Sequence, residues 1–458
     1  MSTDNDGLTA AIEKMQAEGL GEAAVDTFRH YYELLRSGEG GMLPESALEP
    51  VEDVPDLSSL PDDAAGDALD QAVVLKLNGG LGTSMGMTPA KSLLEVKDGL
   101  SFLDVIVRQV LALRRETGAR LPLVLMNSFN TRDDSLAALH AHESVDVEGL
   151  PLDFVQNKVP KIRADDLMPV EWPANPAQEW APPGHGDLYT ALVTSGMLDT
   201  LLEQGFRYAF VSNADNLGAV FEPRILSWFA REEIPFLLEV TDRTEADRKG
   251  GHVARRREEG GLVLREVAQT PEEDVEAFQD IARHRFFNTN NLWLDLRALR
   301  EVLDVQGGVL GLPMIVNRKT VDPGDASSPE VIQLETAMGA AIDVFDDAQA
   351  LRVSRERFVP VKTTSDLLVV RSDAYVLDDA QRLVLAPGRD AAPLVSLSSE
   401  YKLVGGFDER FPKGPPSLVE ASRLTVEGDV TFGAGVVVRG SASVTGPSQV
   451  DDGAVLEG

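Results

Sequence analysis

Residues Ala72 to Leu77 form an apolar, partly β-branched run that ends in four glycines within eight positions: Gly79, Gly80, Gly82 and Gly86. A buried strand running into a turn with so few Cβ atoms lets backbone N–H groups come close to a ligand. Concave sets of such amides bind phosphate, and Lys91, in Lys91-Ser92 just beyond, adds a mobile positive charge. The spacing excludes a Walker loop, since no Gly-Lys-Ser/Thr follows the first glycine at the required distance. It fits a dinucleotide fingerprint poorly, because Gly80 and Gly82 match but Gly86 comes one residue late. Spacing alone also leaves room for a glycine-rich hairpin turn.

Composition narrows the partners. The chain has 458 residues and a formal net charge of −33, a surface that repels nucleic acid and anionic membranes, so neither is an expected partner. Phosphate ligands then demand cations gathered locally. Two unit charges about 4 Å apart interact by roughly 4 kcal/mol at an effective dielectric of about 20, so a few lysines, helped by magnesium, override the remote field. The absence of cysteine excludes disulfides, thiolate catalysis and cysteine-ligated zinc. No apolar run approaches a membrane span, and Met1 to Asp6 lack a basic-then-apolar signal, which points to the cytoplasm.

Three parts are expected. Residues 1–70 comprise one or two amphipathic helices (Ile12, Met15, Leu20, Ala24, Phe28, Tyr31, Leu35) and a stretch from Gly38 to Asp70 with ten acidic and no basic residues, read as a linker or extended surface arm. Residues 71–375 alternate strand-like and helical runs. The clearest strands are Ala72–Leu77, 121–126, 152–155, 208–212, 235–240 and 286–294, and Ser101 with Asp104 caps a helix carrying Ile106, Val107, Val110 and Leu113. Such alternation implies an α/β sheet covered on both faces, with its site at the strands' carboxyl ends. Residues 376–458 carry Val426, Phe432, Val438, Val444, Val450 and Leu456 at a six-residue period, with Leu424, Val430, Val436 and Ala442 two residues earlier. That period is the signature of a hexapeptide β-helix.

Four further strings carry chemistry. Tyr208 to Asn216 is a strand running into Asn213-Ala-Asp215. A carboxylate there suits magnesium, although an Asx turn explains the pattern equally when it stands alone. In Trp180-Ala-Pro-Pro-Gly184-His185-Gly186-Asp187, two prolines fix the approach and two glycines free the histidine to meet a ligand. Lys362 lies between a short strand and a helix expected to be capped by Ser365, where the helix dipole disfavours it. Asn288-Thr-Asn290-Asn291 gathers three amides suited to neutral polyols. Lys158, Lys161 and Arg163, near Gln156, read mainly as solvated surface.

Together these strings closely resemble the UTP–glucose-1-phosphate uridylyltransferases, in motif order from Gln71 to Gly458. The resemblance implies a nucleotidyltransferase α/β domain (Rossmann-like, with a mixed sheet) followed by a short left-handed β-helix. It implies uridylyl transfer from UTP to glucose 1-phosphate with Mg2+. It assigns nucleotide contacts to Leu77, Asn78, Gly79, Gly80, Lys91, Gln156, Gly184, Asn213 and Lys362. Substrate contacts fall to Gly80, His185 and Asn290, the metal to Asp215, and charge stabilisation in catalysis to Lys91 and Lys362. The chain departs from the pattern at Thr88-Pro89-Ala90, where the family has Gly-Pro directly before the lysine, so the loop's path is open. The tail ends at Gly458, shorter than in the long family members, and assembly through such a β-helix is not carried over. A uridylyltransferase for galactose or N-acetylhexosamine 1-phosphate shares the chemistry. A nicotinamide dehydrogenase leaves the Pro-Pro-Gly-His string and Lys362 unexplained, and a non-catalytic β-helix scaffold leaves Lys91, Asp215 and Lys362 unexplained.

Overall fold

The structure, a computed structural model, describes residues 6–38, 41–63 and 65–458; positions 39–40 and 64 of the expected acidic arm lie outside the described residues. Its centre is a ten-stranded mixed sheet. The strands are β1 (Leu48–Pro50), β2 (Ala72–Asn78), β3 (Leu123–Asn127), β4 (Asp153–Val155), β5 (Tyr208–Asn213), β6 (Phe236–Asp242), β7 (His252–Arg256), β8 (Leu262–Arg265), β9 (Phe286–Asp295) and, after β10 (Met314–Thr320) and β11 (Glu330–Thr336) of a separate sheet, β12 (Gln349–Arg352). The order is β1-β7-β9-β5-β2-β3-β4, with β6 on β9, β12 on β6 and β8 on β7. Strands β5, β2, β3 and β4 run parallel, and β9 is antiparallel to β5. All seven residues of β2 are buried, as expected for a strand covered on both faces. Val74 packs into one core, and Val73, Leu75 and Leu77 into the other. All six expected strands are present. The helix after Ser101 (Phe102–Thr117) carries the expected capping box, Asp104 N to Ser101 Oγ at 3.1 Å and Ser101 N to Asp104 Oδ2 at 2.8 Å.

Two helices, Asp6–Ala17 and Glu22–Ser37, account for the N-terminal periodicity. Leu8, Met15, Phe28 and Tyr32 pack on Val159 and on Ile162, Met314, Ile332 and Leu334 of the small sheet built from β10, β11 and Ile162–Arg163. The acidic stretch is an arm fixed to the body. Its β1 pairs with β7, and its carboxylates meet arginines: Asp56 with Arg352 at 2.9 Å, Glu49 with Arg257 at 2.9 Å, and Glu45 with both Arg265 and Arg283 at 2.6 Å. Its acidity is complementary to the surface it covers.

The tail is a stack of parallel strands: β13 (Leu394–Leu397), β14 (Ser417–Glu427), β15 (Val430–Phe432), β16 (Val437–Thr445), β17 (Ser448–Val450) and β18 (Val455–Glu457). Leu424 lies beside Ala442, Val426 beside Val444, and Phe432 beside Val450, so partners stand eighteen residues apart. Val426, Phe432, Val438 and Val450 are buried, as their period requires, and they join the same apolar core as Val74 and Val105.

Beneath the arm, the buried ring of His252 stacks on His284 with centroids 4.1 Å apart, and neither His252 nitrogen has a partner. Burial, with His284, Arg243 and Arg265 nearby, holds His252 well below the ordinary histidine pKa. The unfolded chain, titrating near about 6.5, therefore binds the extra proton below that pH, and this part of the stability is lost as pH falls. Replacing His252→Phe removes that loss. From about pH 7.5 to about pH 5.5 the Tm difference, variant minus parent, is expected to move in the variant's favour; a constant difference in scanning calorimetry contradicts it.

Candidate active site

Because β2 and β5 are parallel and in register, with Leu77 opposite Asn213 and Ala214 N donating to Leu77 O at 3.1 Å, their carboxyl ends open side by side. The glycine loop leaves β2 through one short helical turn, Thr83–Met85, flanked by Gly82 and Gly86 at φ 65° and 75°. These angles are disfavoured for residues with a Cβ. The loop then doubles back, and Lys91 N donates to Gly80 O at 3.0 Å. This return puts Lys91 Nζ 2.6 Å from Asp215 Oδ2, on the turn after β5. Gln156, just after β4, lays its amide over Gly79, where a Cβ would come within 3.0 Å of it. The side chain of Asn78 turns inward, donating to Asn127 Oδ1 and Ser135 Oγ at 2.7 Å each, while Ser128 and Thr131 hold the carbonyls of Gly79 and Asn78. The 126–131 string thus braces the loop.

Lys362 reaches the same place along a strap, residues 357–362. Val361 N donates to Asp215 O at 3.1 Å and Val359 N to Asn216 Oδ1 at 2.8 Å. Buried Asn216 also donates to Arg357 O and to Asn291 Oδ1. Arg357 itself grips Glu239 with two bonds of 2.6 and 2.7 Å, and Trp293 and Asn291 complete that carboxylate's partners. The side chain of Lys362 is exposed. The cap of the following helix, Thr364–Arg371, is Thr363 and not Ser365. Asp366 reaches back to Thr363 N, while the Ser365 hydroxyl faces outward and accepts from Leu397 N.

Opposite lies a more neutral wall. Asn288 to Asn291 sit inside β9, across a register shift against β6. Asn290 takes φ 57°, and Asn288 Nδ2 donates to its side chain at 2.9 Å. Asn291 is drawn away to Glu239, so two amides converge and not three. Asn288 N donates to Gly251 O, and Gly251 backs onto the Glu266 carboxylate, where a Cβ would stand 2.4 Å from Oε1. Burial pushes Glu266 up to about 7, opposed by Lys362. His185 Nδ1 accepts from Met338 N at 3.0 Å, which leaves the proton on Nε2, and burial pushes the ring down to about 4. Gly184 and Gly186 are required by their approach to Thr336, where a Cβ would meet backbone or hydroxyl oxygen at 2.4 and 2.3 Å. Sequence reading attributed that closeness to a ligand. Asp187, buried and pushed up to about 7, accepts from Asn157 N and Nδ2, tying the Gln156 loop to the His185 loop.

The structure therefore joins Gly79, Gly80, Lys91, Gln156, Asn213, Asp215 and Lys362 at one end of the sheet, and joins His185 to Asn288 and Asn290 through the 338–339 turn, where a Cβ on Gly339 would meet Asn288 Nδ2 at 3.2 Å. Glu266 and Glu239 were missed, since they come from distant segments and carry no local motif; Asn216 ends the 208–216 string and Arg357 begins the strap to Lys362, but neither was assigned a role. Asp187 stood inside a string already singled out. Lys161 is buried with Nζ on Val321 O, beside Lys319 and Asp322, rather than on a solvated face. Asp215 is a lone carboxylate, and among the described residues no three acidic or histidine side chains cluster as a metal cage. That donor set fits magnesium, which takes one or two carboxylates and completes its shell with phosphate oxygens and water.

A sequence model of the UTP–glucose-1-phosphate uridylyltransferases matches residues 25–439. The chain belongs to this uridylyltransferase family. The Hordeum vulgare uridylyltransferase is 41% identical across 99% of this chain and 95% of its own length, and that of Solanum tuberosum is 44% identical across 85% and 80%. A Leishmania major UDP-glucose pyrophosphorylase variant, solved in complex with UDP-glucose, superposes with a TM-score of 0.92 at 47% identity, covering 99% of this chain and 98% of that one. The Trypanosoma brucei structure gives 0.90 at 47%, with 98% of both chains covered.

In this uridylyltransferase, Asn216→Ala leaves Val359 N without its acceptor and the Arg357 and Asn291 oxygens short of a donor. Stability is expected to fall by about 1–3 kcal/mol in urea unfolding; an unchanged midpoint contradicts this role of Asn216.

Proposed function

We propose that this chain transfers the uridylyl group of UTP to glucose 1-phosphate, giving UDP-glucose and pyrophosphate, in either direction. The observation that carries the reading is the return of the glycine loop onto Asp215 through Lys91, with the Lys362 strap pinned to the same turn. A phosphate oxygen of glucose 1-phosphate attacks the α-phosphorus in line and the bond to pyrophosphate breaks. Such transfers are catalysed by positioning and by stabilising charge. Gly79 and Gly80 offer amides to the nucleotide, with Leu77 and Asn78 setting their path, and Gln156, beside Gly79, reads the base. Asn213 and Gly184 complete the nucleotide side. Lys91 exchanges Asp215 for phosphate oxygens, and Lys362 neutralises charge passing to the leaving group. His185, neutral at pH 7, donates through Nε2 to the sugar phosphate; Asn290 and Glu266 face the hydroxyls. Magnesium on Asp215 would supply further positive charge to the phosphates.

Three coarser features belong to the same proposal. The tail is a short left-handed β-helix of eighteen-residue coils, the three-part division falls near residues 70 and 375, and the enzyme works in the cytoplasm. Among the described residues no helix is long and apolar enough to cross a membrane.

Pyrophosphate release should require UTP, glucose 1-phosphate and magnesium together. Other nucleoside triphosphates, and galactose or N-acetylhexosamine 1-phosphates, should be turned over far more slowly. Turnover of Lys362→Ala is expected to fall by roughly 10²–10³, the cost of losing one preorganised charge stabiliser. Equal rates with every sugar phosphate would overturn the glucose assignment, and an undiminished Lys362→Ala rate would remove that lysine from the reaction.

A further inference from the structure

Beside β2, on the face covered by the helix Phe102–Thr117, an open cavity of about 480 Å³ reaches from buried Lys76 to exposed Glu116, Glu356 and Arg382. Ile106, Val110 and Leu113 of that helix form one wall, and Phe221, Leu383 and Val384 form the others. None of residues 79–91, 156, 213–216 or 362 lines it, so it is separate from the site described above. Its volume lies in the range that takes small molecules.

The polar lining defines what fits. Lys76, 2% exposed, uses two of its three N–H groups, on Ser212 Oγ and Ala219 O. Arg357 engages Glu239 through Nε and Nη2 and also lines the cavity. Gln109 donates to Leu217 O and accepts from no described residue, so its side-chain oxygen is spare. The two buried cations lie beside Glu239, with Glu222 also acting on Arg357, and Lys76 is pushed down to about 7 by burial and by Arg357. Glu116, Glu222 and Glu356 also line the cavity, set against Arg382. These acids exclude polyanions such as nucleotides, while the buried cations admit a single negative charge. The apolar walls ask for a hydrocarbon or aromatic body.

We infer that this cavity is a second binding site, for a small organic monoanion whose apolar body lies between Leu113 and Val384 and whose charged head meets Lys76 and Arg357. Occupancy bears on the active site through two short paths. Lys76 is three residues before Gly79, and Arg357 begins the strap that ends in Lys362. An anion on Arg357 competes with Glu239 for the guanidinium and loosens the carbonyl that holds Asn216 and Asn291. The site is therefore inhibitory.

The probe is 8-anilinonaphthalene-1-sulfonate, an aromatic body with one sulfonate. Its fluorescence should rise with saturation at one site per chain, and saturating UTP should not displace it. Filling the cavity with Leu113→Trp, or from the opposite side with Ala380→Trp, should weaken binding about tenfold or more, roughly the 1.4 kcal/mol that one decade represents. Far-ultraviolet circular dichroism identifies any variant that fails to fold, and the other then decides. Bound probe should lower kcat about fivefold or more at unchanged KM for UTP, within the usual range of coupling between sites, and the folded Trp variant should resist. Displacement by UTP, or parent-like binding by a folded Trp variant, overturns the site; binding without loss of kcat overturns its inhibitory role. The kinetic arm rests on the uridylyl transfer proposed above, whereas the fluorescence arm does not, so failure of one is distinguishable from failure of the other.

Discussion

The bidentate ion pair between Glu239 and Arg357 is the contact on which the geometry of the site depends. Both side chains are almost completely buried, at 0% and 10% exposure. Moving two such charges out of water costs several kcal/mol per ion, repaid only where the geometry is good and the remaining lone pairs find donors. Here they do, because Trp293 and Asn291 complete the carboxylate. The pair then fixes the Arg357 carbonyl, which receives Asn216 and Asn291 at 3.1 and 3.2 Å. Four segments far apart in sequence (215–216, 239, 288–293 and 357–362) are thereby locked around one guanidinium. Its contribution is placement, since an apolar cluster of equal volume would serve stability as well and leave the strap unregistered.

What could be read from the sequence was whatever is encoded locally. The strand-to-loop transition at Leu77–Gly80, the Ser101–Asp104 box and the six-residue period of the tail each specify backbone conformation within a few neighbours. All three reappear in the structure. The Lys91–Asp215 contact was anticipated only as two motifs expected to share a site, since a contact across 124 residues has no local signature. Where several residues could serve, local reading chose badly. Thr363 and Ser365 are equivalent as sequence, and the strap's approach to Asp215 decides that the chain turns helical after Thr363. Asn291 looks like a third polyol-binding amide until the β9 bulge turns it towards Glu239. Gly184 and Gly186 look like openings for a ligand, although their missing side chains are displaced by Thr336.

The acidic surplus has a local explanation as well as a global one. Carboxylates of the 41–63 arm meet arginines of the body, Glu45 two of them and Glu49 and Asp56 one each. Exposed pairs such as Glu49–Arg257 add little, about 0–1 kcal/mol each. Glu45 is different, because it neutralises Arg265, a fully buried cation beside Glu266. The arm therefore supports the neutral wall of the site from behind, by keeping an unpaired positive charge from forming one residue away from the carboxyl that faces it.

The two walls separate two recognition problems that an anionic protein must solve differently. On one side, Lys91 pairs with Asp215, and the strap tied to Asp215 O carries the exposed Lys362, which also acts on Glu266. In the proposed reaction these lysines supply the charge that a triphosphate demands. On the other, burial disfavours the charged form of His185 and pushes Glu266 up to about 7, and the amides of Asn288 and Asn290 face each other. Every group on that wall can both donate and accept, or is pinned to one tautomer by a backbone N–H. Hydroxyls are read by such groups with little attraction for stray anions or cations. Asp187 joins the walls: it spans from the Gln156 loop to the His185 loop, and its burial keeps it from acting as a competing charge. Thus the same desolvation disfavours ionised His185, Asp187 and Glu266, so that in the proposed reaction phosphate is drawn to the lysine end of the pocket and the sugar is left to hydrogen bonding.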